Sequence, residues 1–359
     1  MNRTIFVSLC ATVLSVLATP AAAQLTPTQE SGRATALIVE EPSSSRMPAP
    51  TLLAQSRSQA PRPAPLRRRR GTFVGYVEDA LVESNVRIRF DAAAGNTVPD
   101  RAEFFYAKCG CYRGLVGTPA FDPDAPGPGP GGANDIRFQQ LYLEGEFMVA
   151  PGFSLLGQVP LRWLQPQSFI PGTGAPFPNQ SGVGDIRAGV KLGFVDSAAT
   201  TATVKAQFYF PSGDASSGLG TDHASFEPAV LLWNELSPKV TLESQFGVWL
   251  PIGGAAPVPT NADGHFAGRL LYYGIGPSFT VYETTRTRVA PVVELVGWHI
   301  LDGNQTAASS DAGGINIVNL KIGARFVVDK GSFYAGYGRA LTDAAWYTDV
   351  VRFEYRYSF

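Results

Sequence analysis

His223, Ser225 and Glu227 occupy alternate positions of one segment, so on an extended strand their side chains share a face. A histidine beside a serine, with a carboxylate next in line, has the makings of a base and nucleophile for hydrolysis. The positions between and beyond them, Phe226, Pro228, Val230 and Leu232, form the opposite, apolar face. Cys109 and Cys111 are the second reactive pair. A single intervening residue would strain the ring they close, so a local disulfide, a loop metal or redox site, and free or intermolecularly paired thiols all remain open. His223, His265 and His299 are scattered singly and give no zinc-ligand spacing with those cysteines.

Charge supplies a larger set. Arg87, Arg89, Arg162, Arg187, Lys191, Lys205, Lys321, Arg325, Arg352 and Arg356 fall at alternate positions of apolar segments, with Glu144, Glu146, Asp185, Glu227, Glu243, Glu294 and Glu354 among them. In residues 185–194 the even positions are Ile186, Ala188, Val190, Leu192 and Phe194, while the odd ones are charged or glycine. Val318, Leu320, Ile322, Ala324 and Phe326 alternate in the same way with Asn319, Lys321, Gly323 and Arg325. Such period-two segments, broken every ten to fifteen residues by Gly, Pro, Asp and Ser, are strands with one apolar and one polar face.

A soluble sandwich would also alternate. Two features favour a membrane barrel instead. Only 16% of the 359 residues are charged and 38 are glycine, which is lean for a water-solvated enzyme. Residues 351–359 then place Val351, Phe353, Tyr355, Tyr357 and Phe359 on one face, an aromatic girdle that water would not tolerate uncovered. A net charge of −1 gives no general attraction to nucleic acid. No stretch after the leader reaches the eighteen or so apolar residues of a membrane helix.

The leader is residues 1–23: Arg3, an apolar run over residues 5–17 that takes in Cys10, and Ala21-Ala22-Ala23, the form of a cleaved signal peptide. Residues 24–70, with Pro61, Pro63, Pro65 and the arginines at 67–70, read as a disordered periplasmic tail. Residues 71–359 carry the barrel. Short and long connections alternate strictly, which places the short turns and both chain ends on the periplasmic side and requires an even strand count. Twelve antiparallel strands result, with residues 93–133 as a long first outer loop. Fourteen result if residues 72–78 and 102–109 also span. The expected architecture is all-β, a closed antiparallel transmembrane barrel in the outer membrane.

Gly182-Val183-Gly184-Asp185-Ile186-Arg187-Ala188-Gly189-Val190-Lys191, Phe210-Pro211-Ser212-Gly213-Asp214 and Leu250-Pro251-Ile252-Gly253-Gly254 resemble the outer-membrane barrels grouped with phenol meta-pathway degradation proteins. Residues 99–111 resemble a segment of planctomycete-type members. The resemblance implies passage of small, hydrophobic or aromatic compounds, with no catalytic residue and no cofactor. Phe353, Tyr355, Tyr357 and Phe359 likewise resemble the signal read by the barrel-assembly machinery. The pattern at His223 and Ser225 is similar to that of the outer-membrane phospholipase, but the following Phe226-Glu227 departs from it and the pair turns inward.

The expected function is thus a passive channel for small solutes, embedded in outer-membrane lipid, its inward charges tuning selectivity. A charge-filled scaffold and, less favoured, a lipid hydrolase using His223 and Ser225 are the alternatives. Residues 24–70 show no clear plug domain.

Overall fold

The structure is a computed structural model. It describes residues 71–97, 133–169, 171–172, 175–252, 257–258, 261–265, 267–305 and 310–359. The expected leader, the tail, Cys109 with Cys111, and nearly all of the first outer loop lie outside the described residues.

Twelve strands form the wall: β1 (Asn85–Asn96), β2 (Ala133–Ala150), β3 (Phe153–Phe169), β4 (Arg187–Asp196), β5 (Thr200–Tyr209), β6 (Ala224–Ser237), β7 (Val240–Ile252), β8 (Leu270–Phe279), β9 (Thr287–Ile300), β10 (Asn316–Val328), β11 (Gly331–Ala340) and β12 (Asp349–Ser358). Each pairs antiparallel with the next. β12 closes the ring on β1, from Asn85 opposite Ser358 to Ala94 opposite Asp349. Closure leaves no free edge, which a bilayer demands because no water is there to satisfy one. Gln180–Val183 adds a short strand on the outer half of β3 and Tyr282–Glu283 another beside β9.

The two faces have the polarity read from sequence. Ile88, Phe194, Phe246 and Ile322 are about half exposed on the outside, while Glu243, Glu294, Lys321 and Arg325 are fully buried on the inside. In water this apolar exterior would aggregate; in hydrocarbon it is the solvated face. Phe147, Phe333, Phe353 and Phe359 pair as rings at the short-turn end, with centroids 5.8 and 6.4 Å apart. Tyr355 and Tyr357 are exposed beside them, forming an interfacial girdle. The protein is an outer-membrane β-barrel.

Residues 72–78 form no strand, so the fourteen-strand alternative fails there, and residues 102–109 lie outside the described residues. The reason lies in the pattern: in Thr72-Phe73-Val74-Gly75-Tyr76-Val77 the apolar side chains do not alternate with polar ones. A segment apolar on both sides cannot divide itself between lipid and lumen. It lies inside the barrel.

Candidate functional site: the occupied lumen

Residues 71–84 form a loop within the barrel. At its C-terminal end the Ser84 carbonyl accepts from Phe359 N–H, where β1 and β12 meet the short-turn end. From there the chain rises to Tyr76, whose ring lies 4.1 Å from Arg352 and 4.1 Å from Lys321, halfway along β12 and β10. It then descends to Gly71, whose carbonyl accepts from Trp233 Nε1 at 3.2 Å, near the short-turn end of β6.

An irregular backbone at membrane depth must find partners for its polar groups, and here the wall supplies them. Glu243 accepts the N–H groups of Phe73 (2.8 Å) and Val74 (3.4 Å) and the Thr72 hydroxyl (2.7 Å). Glu294 accepts Gly75, Tyr76 and Val77 N–H at 2.9, 2.8 and 2.6 Å. Successive N–H groups converging on one carboxylate make a nest, the backbone's own anion site. The carbonyls face donors: Val74 meets Arg325 Nη2 at 2.6 Å, Ala80 meets the Thr203 hydroxyl at 2.6 Å, Leu81 meets Lys191 at 3.3 Å, and Gly75 meets Arg352. Glu78 pairs with Lys205 at 2.7 Å and Asp79 with Arg356.

Apolar packing completes the seat. Val74 and Val77 pack with Val292, Val296 and Tyr334, and Ala80 and Leu81 with Leu231, Trp233, Trp249 and Tyr272. Gly75 has no room for a side chain, since an added Cβ would lie 2.2 Å from the Tyr334 ring. Gly75→Val should therefore unseat the loop while leaving the wall folded. Trypsin or thermolysin cleavage within residues 71–84 of the refolded protein is expected to accelerate, and unchanged protection would contradict this seat.

The predicted inward residues all turn to the interior, where most of them are paired. Glu144 holds both Arg87 and Arg89, the latter at 3.1 Å. Glu146 pairs with Lys191 at 2.9 Å, and Glu227 takes Lys205 together with the hydroxyls of Tyr209 and Tyr272. Arg325 and Glu354 pair at 2.8 Å with neither side chain exposed. Lys321 Nζ meets the Tyr347 hydroxyl at 2.6 Å. Arg162 and Asp185 have a different task, because they hold the outer loop that follows β5. Arg162 donates to the Leu219 carbonyl at 2.6 Å, and Asp185 accepts from Gly213 N–H and from Thr221 N–H and hydroxyl. That loop's Leu219 packs with Phe138, Leu164 and Phe177, and Trp298 meets Trp346 with centroids 4.7 Å apart, so apolar side chains pack together in the outer half.

Sequence reasoning missed the lumenal loop, with its own charges Glu78 and Asp79, and the wall partners Thr203, which donates to the Ala80 carbonyl, and Gln245, whose Oε1 accepts from Glu78 N–H at 2.7 Å. The loop's one signal was the lack of alternation in residues 72–81 directly before a regular strand.

The hydrolytic constellation is not assembled. His223 and Ser225 are buried on the inside of β6 or just before it. His223 Nδ1 lies 2.8 Å from the Thr221 carbonyl oxygen, and its ring meets Trp249 edge-on at 5.6 Å. Ser225 Oγ finds no hydrogen-bond partner among the described residues, and Glu227 is engaged by Lys205 rather than by His223. His299 Nδ1 meets Asn316 Oδ1 at 2.7 Å, and His265 is described only in its backbone. Among the described residues no group of three or more His, Cys, Asp or Glu could hold a metal ion. Among the described residues, a cavity of about 110 Å³ lies between the loop and the wall of β12 and β1 to β5, lined largely by polar and charged side chains.

Comparison with solved structures returns barrels. An outer membrane channel from Pseudomonas putida F1 is 14% identical, with 80% of this chain and 99% of that one covered and a TM-score of 0.47. The KdgM porin is 9% identical over 77% of this chain and 99% of its own, at 0.37. LpxR from Salmonella typhimurium is 9% identical over 77% and 98%, at 0.41. No curated protein matches the sequence. The segments at 182–191 and 210–214 fall inside a family match, and the one at 250–254 runs past its end. It is over residues 131–250, about a third of the chain, that the protein matches the family described as putative MetA-pathway of phenol degradation.

Proposed function

We propose that the protein is an outer-membrane channel for small solutes, passive in mechanism and held shut by residues 71–84. The observation that carries this reading is the seating of five consecutive backbone N–H groups, Phe73 to Val77, on two lumenal glutamates. A barrel serving only as scaffold would gain as much from apolar side chains filling its interior, whereas a polar seat loses little when water replaces the loop. Several of the wall charges left behind are paired with one another, Arg87 and Arg89 with Glu144, Lys191 with Glu146, Lys205 with Glu227 and Arg352 with Asp91, and together with the released Glu243 and Glu294 they would line a hydrated passage. The C-terminal aromatic face of Phe353, Tyr355, Tyr357 and Phe359 fits recognition by the barrel-assembly machinery.

The test is conductance in planar bilayers, comparing the refolded chain from residue 24 with the same chain lacking residues 71–84. The full chain should be silent or open rarely, and the deletion should conduct in steady unitary steps. A folded deletion barrel that stays silent would overturn the channel reading and leave a scaffold.

A further inference from the structure

The cavity beside the loop is unevenly charged: seven basic side chains line it against four acidic ones. Six of the basic groups have a carboxylate among the described residues. Arg87 and Arg89 share Glu144, Lys191 has Glu146, Lys205 has Glu78 and Glu227, Arg352 has Asp91, and Arg356 has Asp79.

Arg187 is the exception. Its guanidinium carbon sits 4.2 Å from the centre of the Tyr209 ring and 5.8 Å from that of Tyr142, with no carboxylate at ion-pair distance among the described residues. Its Nε is buried without a hydrogen-bond partner there. Ring faces hold a guanidinium in place and strip its water, but leave its edge of N–H donors free. Such an edge matches a carboxylate in bidentate fashion.

Gln158 lies directly across the strand pair from Arg187, on the same inner face. Its Nε2 donates to Glu144 at 2.7 Å, which fixes the amide's orientation, and its Oε1 is left buried with no donor among the described residues. One open cationic edge and one open acceptor thus stand side by side. Leu156 and the Tyr76 ring supply apolar lining nearby.

We infer that Arg187 and Gln158 form a binding site for a small organic acid bearing a hydroxyl group, the carboxylate on Arg187 and the hydroxyl donating to Gln158 Oε1. This rests on the channel reading for its purpose, since it names the class of solute the lumen selects. Its geometry stands without that reading. Occupancy involves no bond making, only exchange of hydration for these contacts.

The test is equilibrium binding of 4-hydroxybenzoate to the refolded chain in detergent, read by calorimetry, with 4-hydroxybenzyl alcohol and benzoate as comparators. Wild type should bind 4-hydroxybenzoate more tightly than either. Arg187→Gln should weaken that binding by at least about tenfold, and Arg187→Lys by less, since an ammonium restores charge but not the fork. Gln158→Leu should remove the advantage of 4-hydroxybenzoate over benzoate. Circular dichroism and heat-modifiable migration establish that each variant is a folded barrel. Absence of binding by the wild type, equal binding of the alcohol, or binding that survives Arg187→Gln would each overturn the site. A barrel that binds in this pattern yet stays silent without residues 71–84 would overturn the channel reading and leave the site standing.

Discussion

Glu294→Ala is expected to release the lumenal loop and turn a closed barrel into a conducting one. The carboxylate accepts three successive backbone N–H groups at 2.9, 2.8 and 2.6 Å, and the Tyr334 hydroxyl adds a fourth contact at 3.2 Å. Hydrogen bonds to a charged group contribute about 1.5–3 kcal/mol each, and donors left unpaired in a dry interior cost a similar amount. Partial access of water reduces the sum, so a loss on the order of 3–5 kcal/mol from the docked state is reasonable. That shifts the ratio of docked to released loop by roughly a hundredfold to several thousandfold. Glu294→Gln keeps the shape and one acceptor oxygen and should fall between. Open probability in single-channel records measures both, and an Ala variant as silent as wild type would show that Glu294 does not hold the loop.

The largest effect on stability is expected at Arg325. Its side chain is fully buried, pairs with the equally buried Glu354, and reaches Ser332 Oγ at 3.2 Å and the Val74 carbonyl at 2.6 Å. Removing one member of a buried pair strands the other, and Arg325→Ala should cost about 3–5 kcal/mol against urea unfolding in lipid. Glu354 retains Arg87 and Arg356 at 3.7 Å each, which limits the loss. The double variant Arg325→Ala with Glu354→Ala should recover part of it, because the uncompensated charge is gone. A double variant no more stable than the single one would contradict this balance. The Gly75→Val protease experiment addresses the same loop from the side of shape rather than charge.

The wall was legible in the sequence because lipid enforces period two. Residues 185–194 and 318–326 could face hydrocarbon in only one register, and a one-residue slip would expose Arg187 or Lys321 to it. Even strand ends such as residues 331–340 followed from turn chemistry at Asp329 and Lys330. The inward placement of the charges followed with the alternation. Their pairing did not, because Arg352 meets Asp91 across the register that closes β12 on β1, and Arg325 reaches past β11 to Glu354 two strands away. The loop was hidden for another reason. Residues 71–84 obey no secondary-structure period, and their partners lie about 170 residues away at Glu243 and about 220 away at Glu294. Arg187 was named as a lumen charge, but nothing in the sequence distinguished it from its paired neighbours.

Amide hydrogen exchange across residues 71–84 of the refolded full chain, in lipid, tests the central claim most directly. If the loop is docked, the N–H groups of Phe73, Gly75, Tyr76 and Val77 exchange far more slowly than an open chain, and Glu294→Ala removes that protection from Gly75, Tyr76 and Val77. Exchange of these amides at open-chain rates in the wild type would contradict it, because the barrel would then carry no seated segment to close it.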